Sequence, residues 1–386
     1  MLTELHPNRR RGVAACRDTA NQLDVIRRIV SDVVASMPSQ ARSEDSAPAS
    51  PTATSDHHRA RLFDPDELEA RLVWAKGLAG DTREVVLSNL RRAKALGSLR
   101  RVAAPPDASA VAALARDFPH CHDITALLER RIALAHCCST PTFRLPPILL
   151  AGNPGCGKTA LAKRIAGMMS VPHVQVDMAS LQTAFTLVGL DVGYATGGPG
   201  RVWEVLQHDC MSPLILLDEL DKARSDGPSD DAAGFLYNLL EPLTARTFSD
   251  AAIGLAIDAS RISWIATCND PRAIHPAVLS RFTVVDISMP TIEQMRAVID
   301  SIHRELLSKA EWGAWFEQPL RAEVITALSV LSPREVSHAI EETYARAATA
   351  GRRFVVRDDV PRVGSRREQR HPVGFIHDNE PARNPK

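Results

Sequence analysis

Between the apolar run Ile148–Ala151 and a helical pattern beginning near Thr159 stands the octapeptide Gly152-Asn153-Pro154-Gly155-Cys156-Gly157-Lys158-Thr159. Its spacing is G-x-x-x-x-G-K-[ST], and no other stretch restricts the fold as much. The apolar run is too short for a helix and reads as a buried strand, while Thr159 to Met168 has helical periodicity. A strand that turns through glycines straight into a helix opens a β–loop–α unit, and such units pair their strands in parallel. Glycines let the backbone wrap round phosphate oxygens, and the helix N-terminus aims amide donors at them. Gly152, Asn153, Pro154, Gly155, Cys156, Gly157, Lys158, Thr159 and Ala160 are therefore the candidate nucleotide-binding residues. Lys158 is placed to reach the β- and γ-phosphates, and the Thr159 hydroxyl to ligate Mg²⁺. A chance glycine-rich turn is the alternative; the strand before and the helix after argue against it.

From Pro146 onward, short apolar runs alternate with helical stretches. Ile148–Ala151, His173–Asp177, Leu214–Asp218, Arg261–Thr267 and Thr283–Ile287 are the strand candidates. Strands separated by helices imply an α/β fold, here a parallel sheet of five strands with helices on both faces. The run Leu214–Leu217 ends in Asp218 and Glu219. Ligands bind at the carboxyl ends of the strands in such sheets. Asp218 is placed to hold Mg²⁺ through water, and Glu219 to polarise the water that attacks the γ-phosphate. An apolar run before Asp-Glu is usually just a strand reaching solvent. About 60 residues after a phosphate loop it becomes specific.

A length of 386 residues corresponds, at roughly 150 per domain, to two or three domains. Residues 1–36 read as an N-terminal helix and 37–60, rich in Ser, Ala, Pro and Thr, as a disordered linker. Residues 61–117 read as a helical N-terminal region, 118–290 as the nucleotide-binding domain and 291–361 as a small α-helical lid. A short strand, Phe354–Val356, is expected near the end of the lid, and 362–386 reads as a disordered tail. Lys+Arg and Asp+Glu tie at 46 each, which argues against a chain built to coat nucleic acid. No uncharged apolar run approaches the ~18 residues that span a bilayer, so no membrane partner is expected. The apolar stretch after Arg9-Arg10-Arg11 is too short for a signal peptide. Seven scattered cysteines without a C-x-x-C pair fit reduced thiols and a cytoplasmic location.

Further segments carry a family likeness. They are Leu217-Asp218-Glu219-Leu220-Asp221-Lys222, the stretch Asp258 to Asn269, Ile274 to Phe282, and Ser332-Pro333-Arg334-Glu335-Val336. With the phosphate loop, they make the chain from about Phe118 to Pro361 resemble an AAA+ ATPase, and in detail the ATPase module of Lon proteases. The resemblance implies a P-loop core plus helical lid, with ATP and Mg²⁺ as ligands. It implies catalytic roles for Lys158, Glu219, Asn269 (sensor 1), Arg281 (the arginine finger, acting on a neighbour's nucleotide) and Arg334 (sensor 2). For an isolated arginine a surface ion pair would be the default. Tyr194 stands five residues before Pro199-Gly200-Arg201, where Lon carries the aromatic of its substrate pore loop. Ala195 replaces the bulky apolar residue that usually follows it. A tyrosine packed on its own loop is the alternative there.

What the resemblance implies is a Mg-ATP-dependent homo-oligomeric ring, hexameric, that remodels or translocates a protein partner through a central pore. Lon continues into a protease domain, whereas only 25 residues follow Pro361 here. No compact domain fits in that space, so no protease of its own is expected. Two other classes compete. A loader or switch acting on a DNA-processing complex would lack a threading aromatic and would show a basic inner surface. A non-hydrolysing nucleotide sensor would not keep the complete residue set.

Other signals carry less. His120-Cys121-His122 and His136-Cys137-Cys138 lie at opposite ends of a helix about 14 residues long, roughly 20 Å, and cannot share one metal ion. The same region is expected to pass the adenine, with His122 or Ile124 lining that pocket. Cys156 reads as a small residue that fits its loop rather than as an oxidation switch.

Overall fold

The computed structural model describes residues 58–361 except 180–182, 195–196 and 224–231. The expected N-terminal helix, all but the last three residues of the linker, Ala195 and the C-terminal tail lie outside the described residues.

Nine strands are present among the described residues: β1 Arg59–Arg61, β2 Leu99–Arg101, β3 Ile148–Ala151, β4 His173–Asp177, β5 Leu214–Asp218, β6 Phe248–Ser249, β7 Ala256–Ile257, β8 Ser263–Cys268 and β9 Thr283–Asp286. Five of them form one sheet in the order β4-β5-β8-β3-β9, with every neighbouring pair parallel. The register sets Ala151 beside Cys268 and Asp286, and Asp177 beside Asp218, so all the carboxyl ends meet at one edge.

Both faces of the central strands β3, β5 and β8 are covered, which is why they read as largely apolar runs, whereas the edge strands β4 and β9 are partly exposed. Leu149, Ile215, Leu217 and Trp264 point into one core; Ile148, Leu150, Leu216 and Ile265 point into the other. Each fully buried aliphatic side chain contributes about 2 kcal/mol. The first core also takes Leu68, Val86, Leu87 and Leu90 from the helices Pro65–Ala75 and Gly80–Leu96, and Phe63 from just before the first of them. Trp203 Nε1 donates to Asn89 Oδ1 at 3.0 Å, tying those helices to the sheet's own. Sequence periodicity marks 61–117 as helical but does not anticipate the antiparallel β1–β2 pair that brackets these two helices. Strand pairing across 37 intervening residues has no local signal.

The lid carries a third core, built from the helices Ile292–Lys309, Ala322–Leu328 and Pro333–Thr349. Two of these helices open on reciprocal capping boxes, Thr291 with Gln294 and Ser332 with Glu335. The strand expected at Phe354–Val356 is absent. Asp359 instead pairs with Arg352 and accepts the Val356 amide at 2.9 Å, which curls the chain into a 3₁₀ turn, Arg357–Asp359.

Candidate functional site

The glycine loop leaves the end of β3 and enters the helix Lys158–Met169. A Cβ at Gly152 would run into the Ile287 carbonyl oxygen. At Gly155 (φ +86°) a Cβ would stand 3.5 Å from the Arg334 Cβ, so the loop packs directly under the start of the lid helix Pro333–Thr349. Between sheet edge and lid lies a cleft of about 610 Å³, lined by the loop from Pro154 to Ala160 together with Asp218, Glu219, Asn269 and Arg334.

Lys158 is buried, and its Nζ donates to Gly152 O (2.7 Å), Asn153 O (3.1 Å) and Asn269 Oδ1 (3.0 Å). Asn269 is held from behind, since Asp221 Oδ2 accepts its backbone N–H at 3.0 Å and that of Asp270 at 3.1 Å. Asp218 Oδ1 accepts from the Thr159 hydroxyl (2.9 Å) and the Thr267 hydroxyl (2.6 Å), and its Oδ2 from Gln175 Nε2 (2.8 Å). The Thr159 hydroxyl and the Asp218 carboxylate thus converge as a hard-oxygen pair. This donor chemistry suits Mg²⁺, which takes one or two protein ligands and draws the rest from phosphate and water. Elsewhere among the described residues, no group of three or more His, Cys, Asp or Glu is arranged to hold a metal.

Glu219 is one of two non-glycine residues with positive φ among those described, at φ 56°. Such a conformation costs of order 1–3 kcal/mol and persists only where the surroundings impose it. Here the Glu219 N–H donates to Thr267 Oγ1 at 3.0 Å, and its carboxylate accepts from Lys222 Nζ at 2.7 Å. The kink turns the Glu219 side chain from the strand into the cleft.

On the far wall the lining residues are Phe118 and His120, not His122 or Ile124. His122 is exposed and pairs with Asp123, while Ile124 is fully buried in the core. The helix starts at His122 and turns Ile124 inward. His120 Nε2 meets the Cys156 carbonyl at 3.0 Å, and its Nδ1 is buried without a partner. Burial holds the His120 pKa below its ordinary value, against the opposing pull of that carbonyl.

Sequence reasoning missed several supports. Thr267 is a polar residue inside a fully buried strand, which was a readable signal; Gln175 and Asp221 gave none. Asp117 is buried and accepts from Arg164 (2.7 Å) on the helix after the loop and from Arg304 (3.4 Å) on the lid, bridging the two across the cleft wall.

Two candidates lie elsewhere. Arg281 does not line the cleft. Its Nη1 donates to Ala277 O at 3.1 Å, and its guanidinium lies 3.3 Å over the Tyr237 ring. Tyr194 is 66% exposed, at the tip of a loop closed by the Leu190–Gly198 bridge. Asp250 anchors the loop's base: its carboxylate accepts from the Gly200, Ala252 and Ile253 amides. Burial pushes the Asp250 pKa up to about 6, outweighing those three bonds. The folded pKa exceeds the unfolded one, so this contribution to stability is complete below about pH 4 and is lost as pH rises through about 6. Melting temperature followed from pH 7 to pH 5 is expected to show the step in the native chain. Asp250→Asn is expected to lack it and, by opposing its amide to the Gly200 N–H, to lose about 1–3 kcal/mol.

Residues 148–288 match the family described as ATPase family associated with various cellular activities (AAA). The Lon protease of Mycoplasma mycoides is 30% identical over 222 residues, covering 56% of this chain and 27% of that protein. That of Chloroflexus aurantiacus is 33% identical over 179 residues, covering 46% and 21%. The chain thus spans about a quarter of the length of the curated relatives it matches. Among solved structures, Hsp104 with ATPγS and FITC casein superposes with a TM-score of 0.50 at 18% identity, over 62% of this chain and 47% of that one, a likeness of fold. No helix among the described residues is long and apolar enough to cross a membrane. Residues 148–288 thus resemble an AAA domain, in a chain similar to part of the Lon proteases.

Proposed function

We propose that this chain hydrolyses ATP and spends the energy on remodelling or translocating a polypeptide, working as a hexameric ring of identical copies in the cytoplasm. One observation carries the reading. Lys158, Thr159, Asp218, Glu219, Asn269 and Arg334 share a single cleft, while Arg281 sits outside it, half-buried on the wall of a second cavity. An arginine so placed can act only on a nucleotide held by another copy.

Within the cleft, Lys158 and the loop amides hold the phosphates, and Arg334 reads the γ-phosphate from the lid. Asn269 orients the attacking water, and Glu219 withdraws its proton. Mg²⁺ held by Thr159 and Asp218 neutralises charge on the phosphate oxygens when bound. Arg304 and Arg334 both belong to the lid, so lid rotation follows the state of the nucleotide. The exposed Tyr194 is the grip on the polypeptide. Peptide-bond cleavage is no part of this proposal.

The test is Tyr194→Ala, assayed on unfolding of a tagged fluorescent protein alongside phosphate release. Remodelling is expected to be lost while hydrolysis continues. Remodelling that survives the substitution would exclude threading by this loop.

A further inference from the structure

A second cavity, about 530 Å³, opens beside Arg281 and is lined also by Arg131, Arg144 and Glu241. Its charge is unbalanced. No ion pair among the described residues uses Arg131, Arg144 or Arg281. The Nε atoms of both Arg144 and Arg281 are buried without a hydrogen-bond partner. Burial holds the Arg144 pKa below its ordinary value and nearby Arg261 adds to this, with Asp258 and Glu241 opposing. Four guanidiniums thus share this corner with two carboxylates. A buried charged donor without a partner is costly. Natural chains keep such groups where something else completes them. Pro146 and Pro147 follow one residue further on, after Leu145, and restrict the backbone there.

The ligand class follows from the donors. Guanidiniums present planar forks of N–H groups that match tetrahedral oxyanions bidentately. A group with several equatorial oxygens can engage three such forks at once, whereas a carboxylate has only two oxygens to share. We infer that Arg131 and Arg144 extend the Arg281 site into a phosphoryl-binding pocket, filled by the terminal phosphate of the nucleotide in a neighbouring copy. This rests on the ring reading above and goes beyond it: the group acting across the interface is a cluster rather than a single finger. Arg144, with its buried and unpaired Nε, is its second member.

The experiment uses the full chain and four variants: Arg144→Ala, Arg144→Lys, Arg131→Ala and Glu219→Gln. Arg144→Ala is expected to lower kcat for Mg-ATP by about 10²-fold, the cost of one oxyanion donor. Binding of a fluorescent ATP analogue in its own cleft, and the melting temperature, are expected to stay at wild-type values. Arg144→Lys is expected to recover part of the rate, and Arg131→Ala to show a smaller loss than Arg144→Ala. The decisive step mixes Arg144→Ala with Glu219→Gln. A Glu219→Gln copy then lends intact arginines to a neighbour with an intact cleft, so the mixture is expected to exceed the sum of its parents. A mixture that only sums its parents, or a kcat unchanged by Arg144→Ala, overturns the proposal. Calorimetric titration of inorganic phosphate separates the two sources. Phosphate binding that Arg144→Ala abolishes, without any gain on mixing, would mark a free-anion site and overturn the assignment to a neighbour. Failure of the ring reading would show differently, as wild-type turnover per copy that does not rise with protein concentration.

Discussion

Glu219→Gln is expected to cut ATP turnover by about 10³-fold, or about 4 kcal/mol of transition-state stabilisation, while leaving ATP bound. The substitution removes the base and little else. Glutamine has the same length, and its carbonyl oxygen can still accept from Lys222, which now donates to the carboxylate at 2.7 Å. The Glu219 N–H bond to Thr267 Oγ1 is a backbone contact and persists, so the turn that aims the side chain is unaffected. The residues that grip phosphate, Lys158 and the loop amides, are not touched. Phosphate release and equilibrium binding of a fluorescent ATP analogue, measured on the same preparation, separate the two effects. Turnover at the wild-type rate would remove Glu219 from the role of general base; loss of binding would mean that the carboxylate shapes the cleft instead.

Arg281→Ala is expected to have an effect of similar size, about 10³-fold on kcat, by a different route. Arg281 lines no part of the cleft in its own chain, so the affinity of an isolated copy for ATP is expected to be unchanged. The loss is expected only where copies assemble, and the specific activity of the wild type is therefore expected to climb with protein concentration while that of Arg281→Ala stays flat. The substitution also removes the guanidinium stacked on Tyr237, a contact worth about 1 kcal/mol at a partly exposed site. A melting curve distinguishes that modest loss from the kinetic one. Concentration-independent turnover in the wild type would contradict action between copies.

Much of the site was legible because its parts are contiguous in the chain. The phosphate loop is one octapeptide whose glycines and flanks dictate its backbone, and Asp218-Glu219 mark a strand end by the abrupt change from apolar to charged. The segment Ser332–Val336, singled out by family likeness, proves to open a lid helix through a capping box, which sets Arg334 beside Gly155. The cleft wall expected at His122 or Ile124 is instead made by Phe118 and His120, which precede the helix, because the helix starts at His122 and rotates Ile124 into the core. Only packing sets that rotation.

By itself the sequence determined the class of the fold, the strands of the sheet and most of the residues that line the cleft, because local backbone preference and apolar periodicity act over a few residues. Tertiary structure decided the strand order, the latch of Asp117 between Arg164 and Arg304, the Thr267 and Asp221 supports, and the separation of Arg281 from the cleft it resembles a part of. It also gathered Arg131, Arg144 and Arg281 round one cavity from positions up to 150 residues apart. Such encounters depend on how two packed cores orient their surfaces, and no short stretch of chain carries that information.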